Sequence, residues 1–203
     1  MKSLPWYISS RCPQCALPTF NGDHCGICLQ HPPAFDRTLT ALRYAYPLDR
    51  LLQQFKYQQQ LSSGKLLSTL VLPYLAPLLE EDRPDVMIAM PMHVNRLQQR
   101  GFNHALELAK HLHQSLRIPL EIEGCMRIMD TPSQAGMDMK TRTRNLRGAF
   151  ASEKRWQGQH VMIIDDVMTT GASMHAVAHV IKRAGARQIT ALVLARTLKN
   201  PAD

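Results

Sequence analysis

Residues 161–173 read V-M-I-I-D-D-V-M-T-T-G-A-S, and this stretch decides the fold. Residues 161–164 form an apolar run rich in β-branched side chains, which predicts a strand buried on both faces. Two carboxylates, Asp165 and Asp166, are expected to close that strand. A short polar turn follows, and apolar residues then recur at helical spacing until Gly185, where a glycine commonly ends a helix. The stretch therefore predicts a strand, a turn and a helix in succession.

The polar residues of this stretch offer two kinds of binding chemistry. The carboxylates of Asp165 and Asp166 can accept hydrogen bonds from two neighbouring hydroxyls of a ligand. The backbone N–H groups of a turn that opens a helix can hold a phosphate. The turn consists of Thr169, Thr170, Gly171, Ala172 and Ser173. A diol next to a phosphate indicates ribose 5-phosphate. The alternative is a strand whose acidic end binds a metal ion or is simply solvated.

This pattern resembles the motif with which type I phosphoribosyltransferases bind 5-phosphoribosyl 1-pyrophosphate (PRPP): four apolar residues, two acidic residues and a phosphate loop. The resemblance places Asp165 and Asp166, as catalytic residues, on the ribose 2′- and 3′-hydroxyls and residues 169–173 on the 5′-phosphate. A hydrophobic strand ending in Asp-Asp also occurs in receiver domains and in P-loop NTPases. The chain contains no G-x-x-x-x-G-K-[ST] sequence, which disfavours that class.

Strands and helices alternate through the rest of the chain. Apolar runs predict a first buried strand at residues 85–90 and a last strand at residues 189–194. Helical spacing predicts a helix at residues 66–80, kinked or divided at its two prolines, and another that Asn103 caps and that ends near residue 116. The alternation predicts an α/β fold with a parallel sheet and helices on both faces, in which ligands collect at the carboxyl ends of the strands.

Four of the five cysteines form two C-x-x-C pairs, namely Cys12, Cys15, Cys25 and Cys28. Four thiolates suit tetrahedral Zn²⁺, and four protein ligands indicate a closed, structural site. A redox pair is the competing interpretation, and the fifth cysteine, Cys125, is interpreted as an isolated buried thiol. We therefore predict a zinc-binding module at residues 1–35 and a phosphoribosyltransferase-like domain at residues 36–203.

Basic residues indicate an anionic partner, because the net charge is +8 and the pI about 9.5. One basic group follows the strand at residues 85–90 and is a candidate for the pyrophosphate side of the site or for DNA: His93, Arg96 and Arg100. If that segment is helical, Arg96, Arg100 and His104 share a face. A second group suits either a lid over the site or a DNA-contacting surface: Lys140, Arg142 and Arg144. Lys56 is a further DNA candidate, and a solvated basic face remains the alternative.

Taken together, the segments resemble the ComF family, the phosphoribosyltransferase-like proteins of bacterial natural transformation. The matching elements, in chain order, are the two C-x-x-C pairs, Phe55-Lys56-Tyr57, Pro91-x-His93-x-x-Arg96-x-x-x-Arg100-Gly101-Phe102-Asn103, Arg127-x-x-x-Thr131-x-x-Gln134, Arg142-x-x-Asn145 with Ala149-Phe150, and the Asp165-Asp166 loop. They cover nearly the whole chain. His104 departs from the pattern, because glutamine is common at that position.

The resemblance implies a protein that handles imported single-stranded DNA together with a ComFA-type helicase and DNA-processing proteins, and that binds PRPP or a related ribose phosphate. The alternative is an active phosphoribosyltransferase that uses Mg²⁺ on the leaving pyrophosphate and an acceptor that the sequence does not identify. The chain has no apolar run of membrane-spanning length and no signal peptide at residues 1–10, so no membrane insertion and a cytoplasmic location are expected.

Overall fold

A computed structural model describes residues 4–7, 10–57, 61–131 and 145–198. The strands in these residues are β1 (Arg37–Arg43), β2 (Val86–Ala89), β3 (Leu120–Glu121), β4 (Met126–Arg127), β5 (Phe150–Ala151), β6 (His160–Met168) and β7 (Gln188–Arg196). The helices are α1 (Gly26–Gln30), α2 (Leu48–Tyr57), α3 (Leu61–Glu80), α4 (Val94–Arg100), α5 (His104–Leu116) and α6 (Ala172–Arg183).

Five strands form one sheet in the order β1-β7-β6-β2-β3, and every neighbouring pair is parallel. β4 and β5 form a separate antiparallel pair. The chain leaves β6 through α6 on one face of the sheet and leaves β2 through α4 and α5, of which α5 packs on the other face. The strand order therefore reverses between β2 and β6, and such a switch point opens a crevice at the carboxyl ends of the strands.

Helices bury both faces of the sheet. Along β6, Val161 and Ile163 belong to the apolar cluster under α6, whereas Met162 and Ile164 belong to the cluster under α2, α3 and α5. Successive side chains of a strand point to opposite faces. All four side chains are fully buried, which explains why the run contains no polar residue. The same alternation directs Asp165 and Asp166 to opposite faces.

The parallel sheet with helices on both faces confirms the predicted fold class. Asn103 caps α5 as predicted, because its Oδ1 accepts hydrogen bonds from the backbone N–H groups of Ala105 and Leu106, at 3.0 and 3.4 Å. Gly185 follows α6 with a φ of +105°, in the left-handed region that favours glycine.

Three expectations about the elements are wrong. The strand at Val86–Ala89 is the second in the chain, because Arg37–Arg43 already forms an edge strand paired with β7. The expected division of α3 at its two prolines does not occur, since burial of its apolar face against the sheet outweighs the missing backbone hydrogen bonds, whereas a kink there stays a prediction. The two carboxylates lie within β6, because β7 continues beside them and pairs up to Met168.

A further expectation fails at the basic residues after β2. α4 ends at Arg100, and Gly101 adopts a φ of +78°, so Arg96, Arg100 and His104 do not lie on one continuous helix. Among the described residues, no helix combines the length and the apolar character needed to cross a bilayer.

Candidate ligand site and cysteine cluster

The turn between β6 and α6 forms a small cavity of about 50 Å³. Asp165 lines this cavity together with residues 167–174, so the structure brings the carboxylate and the predicted phosphate loop together. Gly171 is the N-cap of α6 and has a φ of +81°. Because glycine carries no side chain, the N-terminus of α6 can approach a ligand through its backbone N–H groups. A carboxylate beside such a helix end suits a ligand with both hydroxyl and phosphate groups.

Asp166 faces away from this cavity, toward α2 and α5. Its side chain is 4% exposed, and its Oδ2 lies 2.6 Å from the Lys56 Nζ. His104 lies between the two carboxylates, with its Nε2 3.5 Å from Asp166 Oδ1 and 3.9 Å from Asp165 Oδ1. The backbone N–H of Asp166 donates a hydrogen bond to Asp165 Oδ1. The Lys56 ammonium therefore holds the Asp166 carboxylate, and the Asp165 carboxylate remains beside the phosphate loop.

The environment separates the pKa values of the two carboxyl groups. Burial, followed by the charge of Asp166, raises the pKa of Asp165 to about 7. Burial alone would also raise the pKa of Asp166. The Lys56 ammonium and His104 outweigh burial and hold the pKa of Asp166 well below its ordinary range. Burial alone would lower the pKa of the Lys56 ammonium, but the charge of Asp166 outweighs burial and raises that pKa. The pair of Lys56 and Asp166 is therefore ionised at neutral pH, whereas Asp165 titrates near it.

Replacing Asp165 with asparagine should stabilise the protein above pH 7 and have little effect near pH 4. The pKa of Asp165 is about 7 in the folded chain and 3.8 as its ordinary value. Between these values the unfolded chain loses the proton first, so the wild type loses stability as the pH rises. We expect the variant's advantage to build up between pH 4 and pH 7 and to level off above pH 7 at about 4 kcal/mol in urea unfolding. An advantage independent of pH would contradict this assignment.

The basic residues after β2 form hydrogen bonds within the protein. The ring Nδ1 of His93 accepts from the backbone N–H of Asn95 and caps α4. Arg96 Nη2 donates to the carbonyl of Thr131 at 2.9 Å, and Arg100 Nη1 lies 3.4 Å from His104 Nδ1. Arg100 is thus connected to the carboxylates through His104. The other three basic candidates, Lys140, Arg142 and Arg144, lie outside the described residues.

The sequence did not reveal the role of Lys56. The sequence makes Lys56 a candidate for contacting DNA phosphate, but its ammonium pairs with Asp166 inside the site. A single lysine near the end of an amphipathic helix carries no pattern that identifies a partner far away in the chain. Only the packing of α2 beside β6 brings the two together.

The four N-terminal cysteines converge on one point. Their sulfur atoms all lie within 4.8 Å of one another, and Cys15 Sγ and Cys25 Sγ are 3.6 Å apart. Cys12, Cys15 and Cys28 are buried, Cys25 is half-buried, and all four are free thiols. Four convergent sulfur ligands can hold a metal ion, and this donor set fits tetrahedral Zn²⁺. Cys125 is buried away from this cluster, as predicted.

The cysteine segment is attached to the sheet by polar contacts at two places. At β1, Arg11 Nη1 donates to the carbonyl of Thr40, and the backbone N–H of Thr38 donates to the carbonyl of Pro13. At the end of β7, Arg196 Nε donates to the carbonyl of Cys15 at 2.8 Å. Burial lowers the pKa of the Arg196 guanidinium, and the Cys15, Tyr7 and Cys25 side chains oppose that shift. No local sequence pattern identifies Arg196 as a partner of Cys15.

This chain is similar to a known domain family, to two relatives and to a solved structure. The family described as "Phosphoribosyl transferase domain" matches residues 102–202. The chain is 36% identical over 194 residues to the DNA utilization protein YhgH of Escherichia coli (strain K12), with 92% of this chain and 84% of that protein covered. It is 31% identical over 206 residues to Competence protein F of Haemophilus influenzae, with 97% and 86% covered. Among solved structures, a purine phosphoribosyltransferase from Pyrococcus horikoshii aligns with a TM-score of 0.43 at 20% identity, covering 64% of this chain and 73% of that chain.

Proposed function

This chain belongs to the ComF family of phosphoribosyltransferase-like proteins, and on that premise we propose that it handles imported single-stranded DNA in the cytoplasm and binds PRPP or a related ribose phosphate. The relatives are named for DNA utilization and for competence. A ComFA-type helicase and DNA-processing proteins are the proposed partners. Zn²⁺ on Cys12, Cys15, Cys25 and Cys28 is the proposed structural metal.

One observation carries the ligand proposal: Asp165 and residues 169–173 line the same cavity at the carboxyl end of β6. A ribose 5-phosphate needs a hydrogen-bond acceptor for its hydroxyls within one sugar ring of a phosphate-binding group. The carboxylate and the N-terminus of α6 supply these two functions side by side. The Phosphoribosyl transferase domain match includes both features.

The pairing of Lys56 with Asp166 suits a highly anionic ligand. Two free carboxylates beside a phosphate loop would repel PRPP, which carries several negative charges. Lys56 offsets the charge of Asp166 at 2.6 Å, so that the ligand meets one carboxylate without a lysine partner instead of two. In this proposal Asp165 makes the direct hydrogen bond to the ribose, and Asp166 and His104 hold the surrounding charges in place.

PRPP binding should weaken at least tenfold in Asp165→Asn and should be abolished in Gly171→Val. The first variant removes the anionic acceptor, and the second adds bulk where backbone must approach phosphate, at a φ of +81° that valine does not tolerate. Calorimetric titration of PRPP and of ribose 5-phosphate, in Mg²⁺ buffer, measures both effects.

Two matched controls accompany this titration. Gly158 has a similar φ of +71° with open space around a Cβ, so Gly158→Val carries comparable backbone strain away from the cavity. Asp82 contacts Arg37 and His160, away from the phosphate loop, and Asp82→Asn therefore removes an unrelated carboxylate. Both controls should bind PRPP as the wild type does. Equal affinity in the wild type and in both site variants would mean that the loop does not bind this ligand.

DNA binding should be strongly salt-dependent, because the net charge is +8 and single strands bind largely through their phosphates. The logarithm of affinity should fall linearly with the logarithm of salt concentration, with a slope of about −0.7 per phosphate contact. We expect Arg142→Ala/Arg144→Ala to reduce that slope by one or two contacts and to lower affinity for all sequences alike. Fluorescence anisotropy with a labelled single strand measures the slope.

The control for charge alone is Arg83→Ala/Arg155→Ala, which removes the same charge from two exposed positions near the amino-terminal ends of β2 and β6. If Arg142 and Arg144 form a lid over the ligand instead, their replacement should weaken PRPP binding and leave DNA affinity unchanged. DNA binding without salt dependence would contradict the proposal of a nucleic-acid surface.

A second candidate function is phosphoribosyl transfer, which the match to the Phosphoribosyl transferase domain favours. Mg²⁺ would neutralise the leaving pyrophosphate in such a reaction. Release of pyrophosphate from PRPP by the wild type that depends on an added acceptor, and that is lost in Asp165→Asn, would establish this activity, because release without an acceptor is hydrolysis. PRPP binding without release in the presence of candidate acceptors supports the binding function instead.

A further inference from the structure

Arg196 is a buried cation that connects the cysteine cluster to the phosphate loop. Its exposed fraction is 3%. The guanidinium Nε donates to the carbonyl of Cys15 at 2.8 Å, and Nη1 donates to the carbonyl of Met168, also at 2.8 Å. Nη1 also donates to the carbonyls of Thr169, in the loop itself, and of Thr197. A single side chain therefore bonds to a cysteine of the cluster and to the start of the ligand loop.

The charge of Arg196 has no carboxylate partner in the described part of the chain. A buried cation is costly unless it is paired with an opposite charge. Four cysteine thiolates with one divalent metal ion carry a net charge of minus two, and Cys15, whose carbonyl Arg196 binds, belongs to that set. The charges of Cys15 and Cys25 already act on this guanidinium, so a metal-loaded cluster would supply it with compensating negative charge.

We propose that Arg196 is a positioning residue that couples metal occupancy of the cysteine cluster to the order of the phosphate loop. With metal bound, the cluster holds the Cys15 carbonyl in place and supplies the compensating charge, so the guanidinium keeps the carbonyls of Met168 and Thr169 in their positions. Without metal, the Cys15 side of this connection loosens and the loop loses its support. The effect on ligand binding rests on the proposed function, whereas the effect on loop order does not.

Coupling between two sites is reciprocal. If metal removal weakens ribose 5-phosphate binding by some factor, ribose 5-phosphate must tighten metal binding by the same factor. Coupling free energies commonly correspond to factors between about 5 and 150, and we expect about tenfold here.

The first test uses the wild-type protein with and without metal. Amide hydrogen exchange of residues 168–173 should be about tenfold faster after chelation, while peptides around the core residue Trp156 keep their protection. Metal removal that leaves exchange of the loop unchanged overturns the proposal. This measurement needs no ligand, so it remains decisive if the protein does not bind ribose phosphates.

Variants then test whether Arg196 connects the metal site to the loop. In Arg196→Gln and in Arg196→Lys, loop exchange should be fast with or without metal, because neither side chain can bond to Cys15 and the loop together. Arg11→Gln is the matched control: it removes an arginine that also attaches the cysteine segment, but to Thr40 and Tyr74 instead of the loop. In Arg11→Gln, metal should still slow amide exchange of the loop as it does in the wild type. Coupling of wild-type size in both Arg196 variants overturns the role of this residue.

Titration with ribose 5-phosphate completes the test. We expect metal-loaded wild type to bind it about tenfold more tightly than chelated wild type, and bound ribose 5-phosphate to slow metal transfer to a chromogenic chelator. If loop exchange responds to metal but ribose 5-phosphate does not bind, the coupling through Arg196 stands and the proposed ligand is wrong. If ribose 5-phosphate binds equally with and without metal and loop exchange does not respond to metal either, the coupling is wrong and the proposed ligand stands.

Discussion

Replacing Cys25 with serine should reduce bound metal from one ion per chain to none and should unfold the N-terminal cysteine segment. The four sulfur atoms lie within 4.8 Å of one another, so the loss of one ligand opens the whole site. Structural zinc contributes about 10–16 kcal/mol of apparent binding free energy in zinc-finger peptides, which makes this the largest effect expected here. Metal analysis by mass spectrometry and proteolysis of residues 10–30 measure the two consequences.

The matched control for Cys25→Ser is Cys125→Ala. Cys125 is also a free thiol, but it is buried away from the cluster. The Cys125→Ala variant should keep one metal ion per chain and an intact N-terminal segment. Wild-type protein without metal, with all four N-terminal thiols reacting freely with a thiol reagent, would contradict the assignment of these cysteines.

Replacing Lys56 with methionine should destabilise the protein by about 3–5 kcal/mol at pH 7.5. The substitution removes the cation 2.6 Å from Asp166 and leaves a carboxylate that is 4% exposed without its lysine partner. Urea unfolding at equilibrium measures the loss. The loss should be smaller near pH 4, because the uncompensated carboxylate can then take up a proton.

Two further variants separate this ion pair from ordinary surface charge. Lys56→Met/Asp166→Asn should recover part of the stability, because it leaves no buried charge unpaired. Lys182 forms an exposed ion pair with Asp36 at 2.8 Å, and Lys182→Met should cost less than about 1 kcal/mol. Equal losses in Lys56→Met and Lys182→Met would show that the buried pair has no special role in stability.

Much of the fold followed from local patterns in the sequence. The buried strand β6, the turn with Gly171 and the cap of α5 by Asn103 were all predicted, because each depends on residues within a few positions of one another. β1 was not predicted, since its alternating threonines and flanking arginines conceal a strand that is buried mainly by elements distant in sequence. The extent of β6 was also missed, because its last residues are strand only through their pairing with β7.

The sequence by itself determined which groups can bind a metal or a ribose phosphate. The spacing of the cysteines and the order of carboxylates, turn and helix are local properties, and local geometry keeps such groups together. Only the tertiary structure decided how these groups are used. The pleat of β6 directs Asp166 toward Lys56 and leaves Asp165 beside the loop, and the end of β7 places Arg196 between that loop and Cys15. These partners are far apart in the chain, so their pairing depends on the packing of whole elements, which no short pattern encodes.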